Sequence, residues 1–198
     1  DEQRARARAS QKKTVISISE IGSVQTQFVG YDQLEADCRV LNTSQDLGGL
    51  LAVVDVSPLY AEMGGQVGDT GVLTLGSQSL KVLNTVKQGN AFLLKLEATD
   101  EEPWLPLGEA PTAHLKVDAG RRNAIQRHHT VTHLLHWALH EVVSRDAAQK
   151  GSFVGPDKLT FDFNSAPLTP QQVVDVEKLV NERILENAGV SWVEVKYN

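Results

Sequence analysis

The chain has 198 residues, 41% of them hydrophobic, and a formal net charge of −6 at pH 7. That is enough apolar material for one domain or two small ones, and the acidic balance excludes a protein that wraps nucleic acid over most of its surface, though not one with a local basic patch. The lone cysteine, Cys38, excludes an internal disulfide framework and a cysteine-rich zinc site; with no apolar run near the length of a membrane span and a charged start over residues 1–13, a cytoplasmic protein is expected.

Residues 1–13 read as a helical or frayed lead-in without an apolar face, in which Arg4, Arg6, Arg8, Lys12 and Lys13 form either a basic patch or simply a solvated charged face. From Thr14 to about Val117 short strand-like runs follow one another at 14–18, 38–41, 51–56, 71–75, 80–83, 91–96 and 114–117, broken by turn residues such as Gln88-Gly89-Asn90. This spacing predicts a small antiparallel β-barrel or a curled sheet. At Asp118 or Ala119 the period changes, and a helix of about six or seven turns is expected to run to about Arg145. Strands are expected at 152–154 and 159–163. Thr169-Pro170-Gln171-Gln172 supplies a cap, a first-turn proline and a capping-box glutamine for a second helix, with an apolar stripe of Val173, Val176, Leu179, Val180, Ile184 and Leu185 and a stop at Gly189. A last strand is expected at 192–197. The fold class is therefore α+β: a barrel over 14–118, then an α+β unit over 119–198 built on a long His-bearing helix.

On that helix, at about 100° per residue, Val131, Leu134, Leu135, Ala138, Leu139 and Val142 share one face, while His129, His133, His136 and His140 form a stripe on the other. Two imidazoles four residues apart can grip one metal ion. A zinc protease would need an acid after the first histidine, and here that position is Thr130, which cannot act as a general base. The stripe is either a metal site of another kind, with His129 and His133 as ligands, His136 as a possible substitute and His136 and His140 otherwise supporting the ligands or merely exposed, or a solvated polar face. His114 and His128 carry no spacing signal. Arg121, Arg122 and Arg127 lie just ahead of it.

Two further segments are candidates. Gly64-Gly65-Gln66-Val67-Gly68-Asp69-Thr70-Gly71 packs four glycines into eight positions, either to cradle a ligand or to turn sharply between strands, and it lacks the Lys-Ser/Thr ending of a phosphate loop. Gln149-Lys150-Gly151-Ser152 follows the His helix as a polar loop that could return toward the imidazoles.

Taken together, Ser57-Pro58-Leu59-Tyr60-Ala61-Glu62-Met63 with the glycine segment, His129-Thr130-Val131-Thr132-His133-Leu134-Leu135-His136, Gln149-Lys150-Gly151-Ser152 and Leu159-Thr160-Phe161-Asp162-Phe163 closely resemble the editing region of alanyl-tRNA synthetase. Order and spacing match over nearly the whole chain, including the lead-in at residues 3–8. Free-standing alanyl-tRNA editing proteins share the glycine and histidine motifs. Met63 and Val131 depart from the family's more usual small residues.

The resemblance implies hydrolysis of seryl- or glycyl-tRNA(Ala), with zinc held by His129 and His133 together with a later Cys-x-x-x-His motif that this sequence does not contain; Cys38 has the wrong context to replace it. It implies roles for Gln149, Thr130 and Thr132 beside the reacting ester, where a hydroxyl and an amide would recognise the serine hydroxyl that alanine lacks. Gly64, Gly65, Gln66, Asp69, Arg121, Arg122 and Lys150 would shape the cleft or hold the acceptor end of tRNA(Ala). Partners are tRNA(Ala) and the remainder of the synthetase chain, with ATP and magnesium belonging to an aminoacylation domain outside this sequence. Isolated from that remainder, the chain is expected to bind tRNA weakly, to hold little zinc and to have little deacylase activity. The alternatives are a non-catalytic tRNA-binding module whose histidines touch RNA, a free-standing deacylase acting in trans, and a zinc hydrolase for other substrates.

Overall fold

In the computed structural model, which describes residues 24–46, 49–97, 110–191, 193 and 195, the strand-like half closes into a six-stranded antiparallel barrel. The elements in chain order are β1 (Gln27–Phe28), β2 (Glu35–Asp46), β3 (Gly49–Val54), β4 (Val56–Ser57), β5 (Gly71–Leu75), β6 (Gln78–Gln88), β7 (Ala91–Leu96), β8 (Thr112–Val117), α1 (Ala119–Val142), β9 (Gln149–Val154), β10 (Leu159–Phe163) and α2 (Pro170–Glu186). The chain divides into two compact units, the first ending at Ala124 inside α1 and the second beginning at Ile125. The expected lead-in at 1–13 and the strand at 14–18 lie outside the described residues. So does most of the strand expected at 192–197, whose described residues Val193 and Val195 are exposed and outside any strand.

The barrel order is β2-β3-β7-β6-β5-β8, with β8 returning to pair with β2 through Asp37 and His114. Closure requires the two longest strands to bend, and each carries a register irregularity, between Val40 and Asn42 in β2 and between Val82 and Asn84 in β6. The skipped residues, Leu41 and Leu83, are the ones turned outward. Inside, alternate residues such as Ala113, Leu115 and Val117 of β8 meet Val40, Leu50, Ala52, Val54, Leu73, Val82, Leu94 and Leu96; each fully buried aliphatic side chain stabilises the barrel by about 1.5–3 kcal/mol relative to exposure. β3 is buried on both faces, because its outer residues Leu51 and Val53 pack with Ala91 and Leu93 beneath Val24 and Val86. The parallel β1–β4 pair, with Gln27 opposite Val56, has too few residues to leave a sequence pattern.

The second unit holds the rest of α1, the β9–β10 hairpin and α2. Leu134, Leu135, Ala138 and Leu139 of α1 pack with Val176 and Val180 of α2 and with Phe161 and Phe163 of β10, which is the apolar face the periodicity predicts. The second helix starts as expected, with the reciprocal Thr169–Gln172 capping box and Pro170 in its first turn. Its end differs: Asn187, at φ 46°, is the left-handed cap, two residues before Gly189. The long helix stops at Val142, three residues short of the expected Arg145, and the stretch after it turns back through Ser144 and Ala147.

Candidate functional site

The candidate residues fall into both compact units. In the first, the glycine segment is a sharp turn. Gly64 and Gly65 have φ of 62° and 86°, and Met63 and Gln66 exchange both backbone hydrogen bonds across them at 3.2 and 3.0 Å, the backbone of a two-residue hairpin turn that suits glycine at both central positions. Both glycines are exposed, while Gln66 is buried. Gly68 and Gly71 serve differently: a Cβ at either would overlap a neighbouring strand carbonyl, that of Thr85 or of Lys116.

Asp69 and Arg122, expected at the tRNA-facing surface, are instead buried against each other, with 1% and 3% exposure. The guanidinium spends its donors inside the protein: Nε donates to Asp69 Oδ2 at 2.8 Å, Nη1 to the Gly30 carbonyl at 2.8 Å, and Nη2 to the Pro58 carbonyl at 2.7 Å as well as to the same carboxylate oxygen. Asp69 also accepts from the Tyr60 amide at 2.7 Å. The reason is geometric. Asp118 caps α1 by accepting from the Arg121 amide at 3.0 Å, and the helix so started carries Arg122 inward to a carboxylate 53 residues earlier, where a lone buried charge would be costly. Arg121 is half-buried, its Nη2 donating to the Gly68 carbonyl at 3.4 Å. Of this group only Gly64 and Gly65 face solvent freely.

In the second unit the His stripe splits into halves. His129 and His133 are exposed, their ring centroids 5.0 Å apart and their planes inclined by 33°. Partial desolvation of the His129 ring, and after it the neighbouring His133, lower the His129 pKa and so favour its neutral imidazole. Of the two readings open for them, supporting residues or merely exposed ones, the second does not hold: His136 and His140 are partly covered. Both direct Nε2 at the Ala147 carbonyl, at 3.1 and 2.7 Å, and the His136 ring lies 5.4 Å from that of Phe161. His136 therefore cannot stand in as a third ligand through Nε2 without giving up that carbonyl. Among the described residues no group of three or more His, Cys, Asp or Glu side chains could hold a metal. His129 and His133 fit two positions of a tetrahedral zinc and leave two to other donors.

Around this pair, Thr130 is exposed, whereas the Thr132 hydroxyl is buried and donates to the His128 carbonyl at 2.8 Å, so its proton is committed within the helix. The loop expected at 149–152 is instead the first part of β9, because these residues pair antiparallel with β10. Gln149 opens the strand, exposed, with Nε2 donating to Ser152 Oγ at 2.9 Å, and Lys150 beside it is also exposed. On the opposite side of α1 an apolar cavity of about 310 Å³, walled by Val131, Leu135, Leu139, Phe163, Val173 and Val176, offers almost no polar surface to a charged ester. His128, which had no sequence signal, donates from Nδ1 to the Gly155 carbonyl at 2.7 Å. A backbone carbonyl leaves no mark in the sequence, so neither this bond nor those to Ala147 could be read from it.

A family model for the class II (A) tRNA synthetases matches residues 1–119, more than half of the chain. The chain belongs to that family. Similarity to individual relatives continues through α1, the hairpin and α2. The alanine–tRNA ligase of Akkermansia muciniphila is 44% identical over 198 residues, covering 100% of this chain and 21% of that protein. Those of Methylacidiphilum infernorum and Opitutus terrae are each 40% identical, covering 99% and 100% of this chain and 20% and 22% of the relatives. The chain thus spans about a fifth of the length of the curated relatives it matches. Among the described residues no helix is long and apolar enough to cross a membrane.

Proposed function

We propose that this stretch is the editing part of an alanine–tRNA ligase, hydrolysing the ester of tRNA(Ala) mischarged with serine or glycine. The parent activity on this reading is ATP-dependent ligation of alanine to tRNA(Ala), with ATP and magnesium used elsewhere in the chain. The observation that carries it is the exposed His129–His133 pair, its ring centroids 5.0 Å apart, flanked by the exposed Thr130 and set in the same compact unit as Gln149. Water attacks the ester carbonyl carbon, the bond to the ribose oxygen breaks, and the products are the free amino acid and uncharged tRNA. Zinc, when bound by His129 and His133 and two further donors, supplies positive charge that orders water or substrate. Thr130 and the Gln149 amide hydrogen-bond the serine hydroxyl; a site built around that bond discriminates against alanine better than size alone. A polar, open surface suits this chemistry, and the apolar cavity does not.

The test is made in the full-length ligase with seryl-tRNA(Ala) and alanyl-tRNA(Ala). His129→Ala and His133→Ala are expected to lower bound zinc and seryl-tRNA hydrolysis together while leaving aminoacylation intact. Gln149→Ala should change the seryl-to-alanyl rate ratio with zinc content unchanged. A parent enzyme that binds tRNA through this stretch but hydrolyses neither ester would replace the reading with that of a non-catalytic tRNA-binding module.

A further inference from the structure

β9 is joined to α1 by imidazole-to-carbonyl hydrogen bonds beyond both of its ends. Before the strand, the Ala147 carbonyl faces His136 Nε2 at 3.1 Å and His140 Nε2 at 2.7 Å; after it, the Gly155 carbonyl faces His128 Nδ1 at 2.7 Å. A carbonyl oxygen can only accept, so each ring must carry its proton on the named nitrogen. That requirement sets the tautomers: Nε2–H for His136 and His140, Nδ1–H for His128. His136 is held in this orientation by the His140 ring, 4.4 Å away and inclined by 64°, and by Phe161. The other ties of the segment between α1 and β9 run to the α1 backbone, lie within the segment or run to the end of β10. They are Ser144 N to Leu139 O at 3.2 Å, Asp146 N to Ser144 Oγ at 3.1 Å, Ala147 N to Ser144 O at 3.0 Å, and the exchange between Ala148 and Asn164 at 2.6 and 3.3 Å, with the Ala147 methyl buried in the core. The imidazoles are its hydrogen bonds to α1 side chains. Along α1, His129 and His133 lie between His128 and His136; along the hairpin, Gln149 lies two residues after Ala147.

We propose that His128, His136 and His140 are positioning residues that pin both flanks of β9 to α1 and thereby hold Gln149 at a fixed distance from the His129–His133 pair. The inference rests on the editing reading for its consequence, but the clamp itself can be tested without it. Because the shared Ala147 carbonyl receives two donors, loss of one leaves the other in place, and loss of both frees the segment that carries Gln149 into the strand. Misplacing a substrate-positioning group by about 1 Å costs up to about a hundredfold in rate, so a drop in kcat of about ten- to hundredfold is expected for the double variant.

The experiment pairs donor-deleting with donor-keeping substitutions. His136→Ala/His140→Ala removes both donors, whereas His136→Gln/His140→Gln returns an amide N–H at nearly the reach of Nε2; His128→Ala and His128→Asn do the same for Nδ1. In the 198-residue chain, amide exchange over residues 147–155 should quicken in the alanine variants and stay near wild type in the amide variants. In the full-length ligase, the alanine double variant should lose kcat for seryl-tRNA(Ala) hydrolysis with KM, zinc content and aminoacylation little changed, and the glutamine double variant should recover most of it. Unchanged exchange in the alanine variants would overturn the clamp. So would glutamine variants as impaired as alanine ones, which would show that the ring and not the hydrogen bond is required, or zinc loss in step with kcat, which would make these residues part of metal binding. A wild-type ligase without deacylase activity would defeat the editing reading alone, and the exchange result would still decide the clamp.

Discussion

Replacing Arg122 by methionine keeps most of the side chain's apolar volume and removes every donor that now serves Asp69, Gly30 and Pro58. Breaking a buried pair from one side typically costs about 3–5 kcal/mol, because the remaining charge is stranded. Proton uptake limits that cost: neutralising an ordinary carboxylate requires about 4 kcal/mol at pH 7 and about 1.5 kcal/mol at pH 5. Loss of donors to the two carbonyls adds about 1–3 kcal/mol each if water cannot reach them, and a typical domain has only about 5–15 kcal/mol in total. Urea unfolding of the 198-residue chain, followed by far-ultraviolet circular dichroism, should therefore show Arg122→Met destabilised by at least about 4 kcal/mol at pH 7, with the deficit about 2 kcal/mol smaller at pH 5. Adding Asp69→Asn should recover the charge-dependent part at pH 7 and abolish its pH dependence, since an amide oxygen can still accept from the Tyr60 amide. A deficit below about 1 kcal/mol at pH 7, or one that does not shrink on acidification, would refute the reasoning that the cost lies in a stranded buried charge.

Gly68→Ala should destabilise the barrel by about 1–3 kcal/mol or more, since its Cβ meets the Thr85 carbonyl and a strand must move, whereas Gly64→Ala meets open space and should cost only the strain of its positive φ, about 1–2 kcal/mol; paired urea midpoints check the order. Burial, and after it the charges of Asp55 and Asp37, push the Cys38 thiol up from 9.0 to about 12. The neutral thiol is the form the folded state favours, so its contribution is complete below pH 9 and is lost as pH rises from 9 toward 12, at up to about 1.4 kcal/mol per pH unit. The difference in stability between the parent and Cys38→Ala should carry this slope, and iodoacetamide should modify the native thiol far more slowly than the urea-unfolded one. Thr169→Ala removes the hydroxyl that accepts from the Gln172 amide at 3.2 Å and should cost about 1 kcal/mol, read as a lower midpoint and faster exchange in the first turn of α2.

The sequence by itself determined the elements whose signals are local. Alternation placed β5 and β7 at the residues expected, Gly64-Gly65 marked a turn, Thr169-Pro170-Gln171-Gln172 started α2, and the apolar face of α1 is the face that packs. Each depends on backbone geometry or on neighbours one turn away, and residue type encodes those directly. The motifs also carried the resemblance that led to the family. Only the tertiary structure decided what depends on residues far apart in the chain. Asp69 and Arg122 were expected to shape the cleft or hold the acceptor end, and their burial against each other could not be read, because a charge offers no local sign that its partner lies 53 residues away. Spacing singled out His129 and His133 but left open whether His136 and His140 were merely exposed, because it fixes which side chains share a face and not what covers it; the backbone carbonyl of Ala147, which any residue would supply, anchors that second half. The barrel itself was legible in the spacing of its short strands, but where β2 and β6 bend to close it was not, since the irregularities at Leu41 and Leu83 depend on pairing with strands distant in the chain.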